Sequence, residues 1–471
     1  MKLIRTSLAA FVVVFAALHA LAAGPILLAN GTLTGSSAGY YTDLSGLQGT
    51  MENGVAKTLL GGMGSGMAWA WGNTFICVPD RGPNAVSYDS LIDDTVTYIP
   101  RFHTVTMDLE LNQRHALPFT RTPATLPFTL TPTLDKTTLL YSSDPLTYGS
   151  GDGLGVGPGA PSENGPDLYY FSGRSDNFDP NTTSADANDA RFDLESVRVS
   201  NNGRSLYLSD EYGPYVYEFD RATGRRLRTF TLPAHMFVAN KYPVGNDEIS
   251  KNSSGRTANK GMEGLAITPN GRTLVGMLQA ATIQDANQGG KAKKLLRFVT
   301  IDVATGLTTH EYAYLLTTGS GVSDIVALND HEFLVDERDG SGLGNGDSAV
   351  VKQAFKIDIN NATDITNLDG LTAVQYAVPK TLFLDLVAVL NANGITSDKI
   401  PAKLEGYALA GDVQYNGTTY HTLWVANDND FLQDYDNQMN SNPNQFYVFG
   451  FTDDDLGGSK YVPQVQMVAR P

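Results

Sequence analysis

The sequence predicts an all-β protein of β-propeller architecture, with six blades favoured and five to seven compatible with the spacing. Three observations carry this. Glycine (47 residues) and proline (22) are abundant over 471 positions, a composition of short strands and turns. Alternating apolar stretches end on tight-turn signals such as Asn201-Asn202-Gly203-Arg204 and Pro269-Asn270-Gly271-Arg272. Most of all, one pattern recurs: an acid, a strand, a turn, a second strand ending on an acid, another turn, and a third strand.

The clearest copy is Phe192 to Arg226. Glu195 opens it, Val197 and Val199 alternate, and Asn201 to Arg204 turns the chain. Leu206 to Leu208 forms the second strand, which ends on Asp210-Glu211, and Tyr215 to Phe219 forms the third. A second unit opens at Glu263 and has Gln279 at the end of its second strand. A third opens at Asp324 and reaches Asp336-Glu337-Arg338-Asp339. A fourth opens at Glu405 and reaches Asn427-Asp428. The opening acids stand roughly 60–80 residues apart, longer than the ~40–50 residues of common propeller repeats, so long inserted loops are expected. A sandwich would also give many strands, but it does not require acids at matching places in every unit. Upstream, Gly66 to Val78 reads as two strands about Gly72-Asn73, followed by Asp80-Arg81; Phe102 to Leu111 alternates again. Residues 25–60 and 115–170 resist division into units. One helix is expected over Lys380 to Ala392.

Residues 1–22 read as a secretory signal peptide: Lys2 and Arg5, an apolar run from Leu8 to Leu18, and Ala20-Leu21-Ala22 before the cut. Residues 23–471 then form a single propeller domain, secreted or periplasmic. Processing takes the formal charge from −17 to −19, which argues against nucleic acid and anionic membranes as partners and suits hard cations. A monomer is the expected form. Cys77 is the one cysteine, so no internal disulfide is available, and its apolar surroundings mark it as a buried hydrophobe.

Eight segments in order resemble the secreted phytase-like family named for esterase-like activity. They are DRGPN (Asp80 to Asn84), DLES…SDEYGP (Asp193 to Pro214), GMEGLAITPNGRTL (Gly261 to Leu274), FLVDERDG (Phe333 to Gly340), ATDIT (Ala362 to Thr366), VPK (Val378 to Lys380), LEGYAL (Leu404 to Leu409) and LWVANDNDF (Leu423 to Phe431). The resemblance implies a β-propeller and hydrolysis of phosphoesters or related esters. The chain departs from a uniform repeat at Gln279, Asp324 and Ser196.

In a propeller, equivalent positions lie at equivalent radius. Glu195, Glu263, Asp324 and Glu405 are therefore expected to converge at one mouth of the channel, with Asp80, Asp210, Glu211, Glu337 and Asp428 nearby. Carboxylates at close range need a counter-charge. Oxygen-only ligands point to Ca²⁺, or Mg²⁺, held by Asp80, Glu195, Asp210, Glu263, Asp324, Glu337, Glu405 and Asp428. Glu195, Glu263, Glu405 and Glu211 are the candidate catalytic acids, and Arg81, Arg338, Lys260 and Lys380 the candidate anion binders. The structural alternative is that the acids cap turns or pair with Arg81, Arg204, Arg272 and Arg338. At the level of function, the alternatives are a non-catalytic ligand-binding propeller and a lactonase-like propeller enzyme.

Other chemistries lack their residues. There is no G-x-S-x-G elbow. Arg114-His115 is followed by Ala116 where a histidine phosphatase needs glycine. The histidines show no metal-ligand spacing, and the Gly149–Gly165 run lacks the Lys-Ser/Thr of a phosphate loop. Gly342 to Asp347 is a single, weak copy of a calcium-repeat pattern, and Asn181, Asn252, Asn361 and Asn416 head N-x-S/T triplets.

Overall fold

A computed structural model describes residues 24–83, 95–112, 126–149 and 159–466. The signal-peptide segment, Asn84, Arg114-His115 and most of the Gly149–Gly165 run fall outside the described residues.

Five four-stranded antiparallel sheets make a five-bladed propeller. The first blade is Gly66–Trp71, Thr74–Val78, Arg101–Leu111 and Phe128–Leu139; the second is Leu194–Val199, Ser205–Asp210, Tyr215–Asp220 and Arg226–Thr231. The third is Met262–Ile267, Thr273–Leu278, Leu295–Asp302 and Thr308–Leu315. The fourth is Gly321–Ala327, Glu332–Arg338, Lys352–Asp358 and Lys380–Asp385. The fifth takes Lys403–Tyr415, Thr418–Asp428 and Asn444–Phe451 from the C-terminal part of the chain and Ile26–Leu33 from the N-terminal part. That last pairing runs antiparallel from Ile26 opposite Gly450 to Leu33 opposite Asn444, and closes the ring.

The turn residues do what their chemistry requires. Gly203 (φ +70°) and Gly271 (φ +72°) occupy the left-handed region at the two hairpin turns. The inner strands are buried along their length: Leu194–Val199 and Met262–Ile267 have no exposed position, because they pack between their own blade and its neighbours. Cys77 is fully buried and burial pushes its thiol pKa up, in keeping with a packing role.

The favoured count of six is corrected to five. Among the described residues, 140–192 adds no blade. Its described residues contribute one two-stranded ladder, Tyr141–Ser142 with Tyr169–Tyr170, and isolated bridges such as Ser172 to Arg191. The segment instead lies against the second blade, where Phe171 and Phe192 pack with Tyr217 and Phe219. The expected helix over Lys380–Ala392 is likewise divided. Lys380–Asp385 is the outer strand of the fourth blade, and only Leu386–Ala392 is helical, its first turn capped by Asp385 accepting from Ala388 N. The apolar run served both elements, which is why its periodicity suggested one.

Candidate functional site

Strand register fixes which residues are equivalent. In blades two to five the cross-strand pairs Leu194–Asp210, Met262–Leu278, Val322–Glu337 and Leu404–Asn427 are counterparts. Immediately after each, the inner strand bulges. The residues at the bulge are Glu195, Glu263, Ser323 and Glu405; those following the second-strand partner are Glu211, Gln279, Arg338 and Asp428. A bulge re-aims a side chain out of the ladder, so these positions face the axis rather than the sheet.

They line one cavity of about 190 Å³ at a mouth of the channel, together with Asp80 and Arg81 from the first blade and Asn259, Lys260, Ser320 and Lys403 from flanking loops and strand starts. Six of its lining side chains are acids (Asp80, Glu195, Glu211, Glu263, Glu405, Asp428) and four are basic (Arg81, Lys260, Arg338, Lys403).

Two carboxylate groups stand out, each with three oxygens within 4.8 Å of one another: Asp193, Glu195 and Glu211; and Asp80, Asp428 and Asp430. Their compensation differs. Lys403 donates to both Asp428 (3.0 Å) and Asp430, so the second group carries its own counter-ion. In the first group Arg81 binds Asp193 (2.9 Å), while Glu211 accepts from Gly261 N (3.0 Å). Next to it, Glu263 accepts at Oε1 from Gln279 (2.6 Å); its buried Oε2 accepts from no group among the described residues, and in its protonated form Glu263 donates to the Glu211 carboxylate. Burial, then the charges of Glu211 and Glu405, hold the Glu263 carboxyl well above the usual range. Burial, then Glu263 and Asp193, do the same to Glu195. Glu211 is pushed up to about 7 by burial and Asp193. Asp428 also rises to about 7, burial outweighing the opposing pull of Lys403.

Arg338 is pinned by Ser323 (Nε to Oγ, 2.6 Å) and pairs with Glu405. Lys260, half-buried at the cavity, has no ion-pair partner among the described residues.

The cavity thus gathers Asp80, Glu195, Glu211, Glu263, Glu405, Asp428, Arg81, Arg338 and Lys260 of the expected set. It does not gather Asp210, Asp324, Glu337 or Lys380, and the placement of these four is corrected. Asp210 accepts from the N–H groups of Asp193 (3.0 Å), Tyr212 (3.0 Å) and Gly213 (3.3 Å): it caps a turn. Glu337 accepts from Tyr314 Oη (2.6 Å), from the backbone N–H of Thr317, Thr318 and Gly319, and from Lys380, so acid and lysine satisfy each other on the outer side of the fourth blade. Asp324 aligns not with the glutamates but with the residue after them, alongside Ser196, Gly264 and Gly406; the true counterpart of the glutamates is Ser323.

Sequence reading missed Asp193, Lys403, Asp430 and Asn259. The first three lie within two residues of acids already singled out, at alternating positions along the same strand ends. That spacing was the available signal.

Among the described residues no helix is long and apolar enough to cross a membrane. A family model described as "Phytase-like: esterase-like activity of phytase" matches residues 58–431. One curated relative, an "uncharacterized secreted protein" from Arthroderma benhamiae, is 33% identical over 141 residues, which cover 27% of each chain. The chain therefore spans about a quarter of that relative's length. Among solved structures, similarity is found to a luciferin-regenerating enzyme (11% identity, 86% of this chain and 96% of that one, TM-score 0.33). Hydrazine synthase from Kuenenia stuttgartiensis is similar at 11% identity over 78% and 77%, TM-score 0.29.

Proposed function

The chain belongs to the phytase-like family, and from that premise we propose that its axial cavity is the active site of a divalent-metal-dependent hydrolase of phosphoesters or related small esters. The observation that carries the reading is the unbalanced carboxylate group: Asp193, Glu195 and Glu211, with the undonated Oε2 of Glu263 beside them.

The residues fit a hard cation. Every donor in the group is a carboxylate oxygen, the set suited to Ca²⁺ or Mg²⁺. Arg81 offsets only part of the charge. The Asp80–Asp428–Asp430 group is the weaker candidate, because Lys403 already answers it. When bound, the cation would polarise an ester oxygen and lower the pKa of a coordinated water. The chain's own groups do the rest. Lys260 and the guanidinium of Arg338 hold the anionic end of the substrate, Arg338 oriented by Ser323. Asp428, with its pKa near 7, takes up or gives a proton at neutral pH. Gln279 fixes the orientation of Glu263 through Oε1.

Export as a monomer, with removal of residues 1–22, completes the proposal. It is supported by the charge and hydropathy pattern of the N-terminal segment and by a relative described as secreted.

The test is a panel of a phosphomonoester, a carboxyl ester and a lactone, assayed with chelator and with added Ca²⁺ or Mg²⁺. Phosphoester turnover that requires the cation is expected. Faster metal-dependent lactone opening than phosphoester hydrolysis, or no turnover with any cation, overturns the reading.

A further inference from the structure

One buried ion pair touches the inner strand of every blade. Asp324 Oδ1 accepts from Arg198 Nη2 (2.7 Å), Ser196 Oγ (3.0 Å), Ile325 N (2.9 Å) and, at the edge of range, Leu265 N (3.5 Å); Oδ2 accepts from Tyr407 N (2.9 Å). Arg198 in turn donates to Met67 O and Ile325 O, both at 2.9 Å, and to its neighbour Val197 O. Met67, Ser196, Leu265, Ile325 and Tyr407 belong to the inner strands of blades one to five in that order. Asp324 is fully buried and Arg198 nearly so.

The space for this pair is made by its counterparts in the other blades. Asp324 shares its register position with Ser196, Gly264 and Gly406. A Cβ at Gly406 would meet Gly64 O at 2.9 Å, and one at Gly264 would meet the Ile325 side chain at 3.2 Å. Asp324 is the one large side chain at this level, and it is an acid bonded to Ser196 and to the N–H groups that follow Gly264 and Gly406. The pair also divides the channel. Above it lies the cavity lined by Glu195, Glu263 and Glu405; below it a small space of about 40 Å³ is lined by Met67, Arg198, Tyr407 and Gln464.

Three of the bonds that Asp324 accepts fall one or two residues from a cavity glutamate: Ser196 beside Glu195, Leu265 two after Glu263, Tyr407 two after Glu405. Within its own strand it follows Ser323, the support of Arg338. We infer that Asp324, with Arg198, is a positioning residue: the pair ties the bulged inner-strand segments of blades two to five to one another and to the inner strand of the first blade, and so sets the spacing of Glu195, Glu263 and Glu405, without itself touching a cation or substrate. The importance of that spacing to catalysis rests on the proposed function; the mechanical role does not.

The experiment compares the wild-type chain with Asp324→Asn and with the uncharged double variant Asp324→Asn/Arg198→Gln, which relieves the unpaired arginine if the single variant fails to fold. Hydrogen exchange is followed by mass spectrometry in chelator, and Ca²⁺ binding by calorimetry. Exchange should rise at least tenfold together in 66–71, 194–199, 262–267, 321–327 and 403–409, while the outer strands 226–231 and 308–315 keep their protection. Calcium affinity of the folded protein should fall at least tenfold, although no ligand has been removed. A rise confined to 321–327, or full protection in the double variant, overturns the inference. Lost calcium binding with unchanged exchange would make Asp324 a direct ligand and also overturns it. If the wild-type chain binds no calcium, the metal reading fails, and the exchange pattern alone decides whether Asp324 positions the strands.

Discussion

Stripping the protein of divalent cations should invert its pH dependence. Glu211 and Asp428 each titrate near 7 in the folded chain, against ordinary values of 4.5 and 3.8, and both are almost wholly buried. Because their folded pKa values are raised, the native state binds more protons than the unfolded chain between about pH 4 and 7. The stability they favour is complete below the unfolded values and falls as pH rises to 7. One pKa unit corresponds to about 1.4 kcal/mol, so ionising either group in the metal-free folded chain costs about 3–4 kcal/mol, for Asp428 even with Lys403 beside it, a large part of the ~5–15 kcal/mol that stabilises a domain. Below pH 4 the opposite sign takes over, since Glu248 and Glu337 are held under their usual range by Arg256 and Lys380 respectively, against the effect of burial. Urea unfolding in chelator should therefore show a stability maximum near pH 5 and a loss of several kcal/mol by pH 8. Calcium at a hundred times its Kd should return about 2.7 kcal/mol, and do so mainly at the alkaline end. Stability in chelator that is flat or rising from pH 5 to 8 would refute the claim that burial outweighs the compensation these two carboxyls receive.

Three further variants test the same geometry. Glu263→Gln preserves shape but removes a charge beside the Asp193–Glu195–Glu211 group, and should lower calcium affinity and turnover by tenfold or more. Asp302→Asn, at an exposed turn where the side chain accepts from Thr305 N and Oγ1, should change stability by no more than ~0.5 kcal/mol, and parallel binding titrations would expose equal effects at the two sites. Gly261→Ala would put a Cβ 2.2 Å from Glu211 O while Gly261 N supports Glu211 Oε1, so it should cost about 1–3 kcal/mol and weaken calcium binding together. Unchanged melting in that variant would show that the contact is looser than described.

The strands and turns were legible wherever the signal was local. Leu295–Asp302 and the hairpins at Gly203 and Gly271 follow directly from alternation and positive-φ turn chemistry. Blade number was not legible, because residues 140–192 carry apolar and aromatic positions that serve the flank of an existing blade. At the site, the glutamates were visible as repeats, but Asp324 was misplaced by one position. A bulge adds a residue without altering composition, so Ser323-Asp324 and Glu-Gly look interchangeable until cross-strand pairs are known. Lys380 and Glu337 illustrate the other limit. Each alone resembles a site residue, and only proximity across 43 positions shows that they neutralise each other.

The closing strand bears on how the molecule is assembled. The four interior blades are meanders whose strands pair with sequence neighbours, so each can form soon after it is synthesised. The fifth cannot: Asn444 Nδ2 reaches Leu33 O across 411 residues, and Ile26–Leu33 must wait for a partner strand made that much later. Contacts of such separation are slow to form, and until they do the Asn444–Phe451 strand has an open edge. Two unfinished chains can satisfy that edge by exchanging N-terminal strands. The step that seals one ring is therefore also the step at which crowded chains become linked dimers or aggregates, and dilution should favour the single ring.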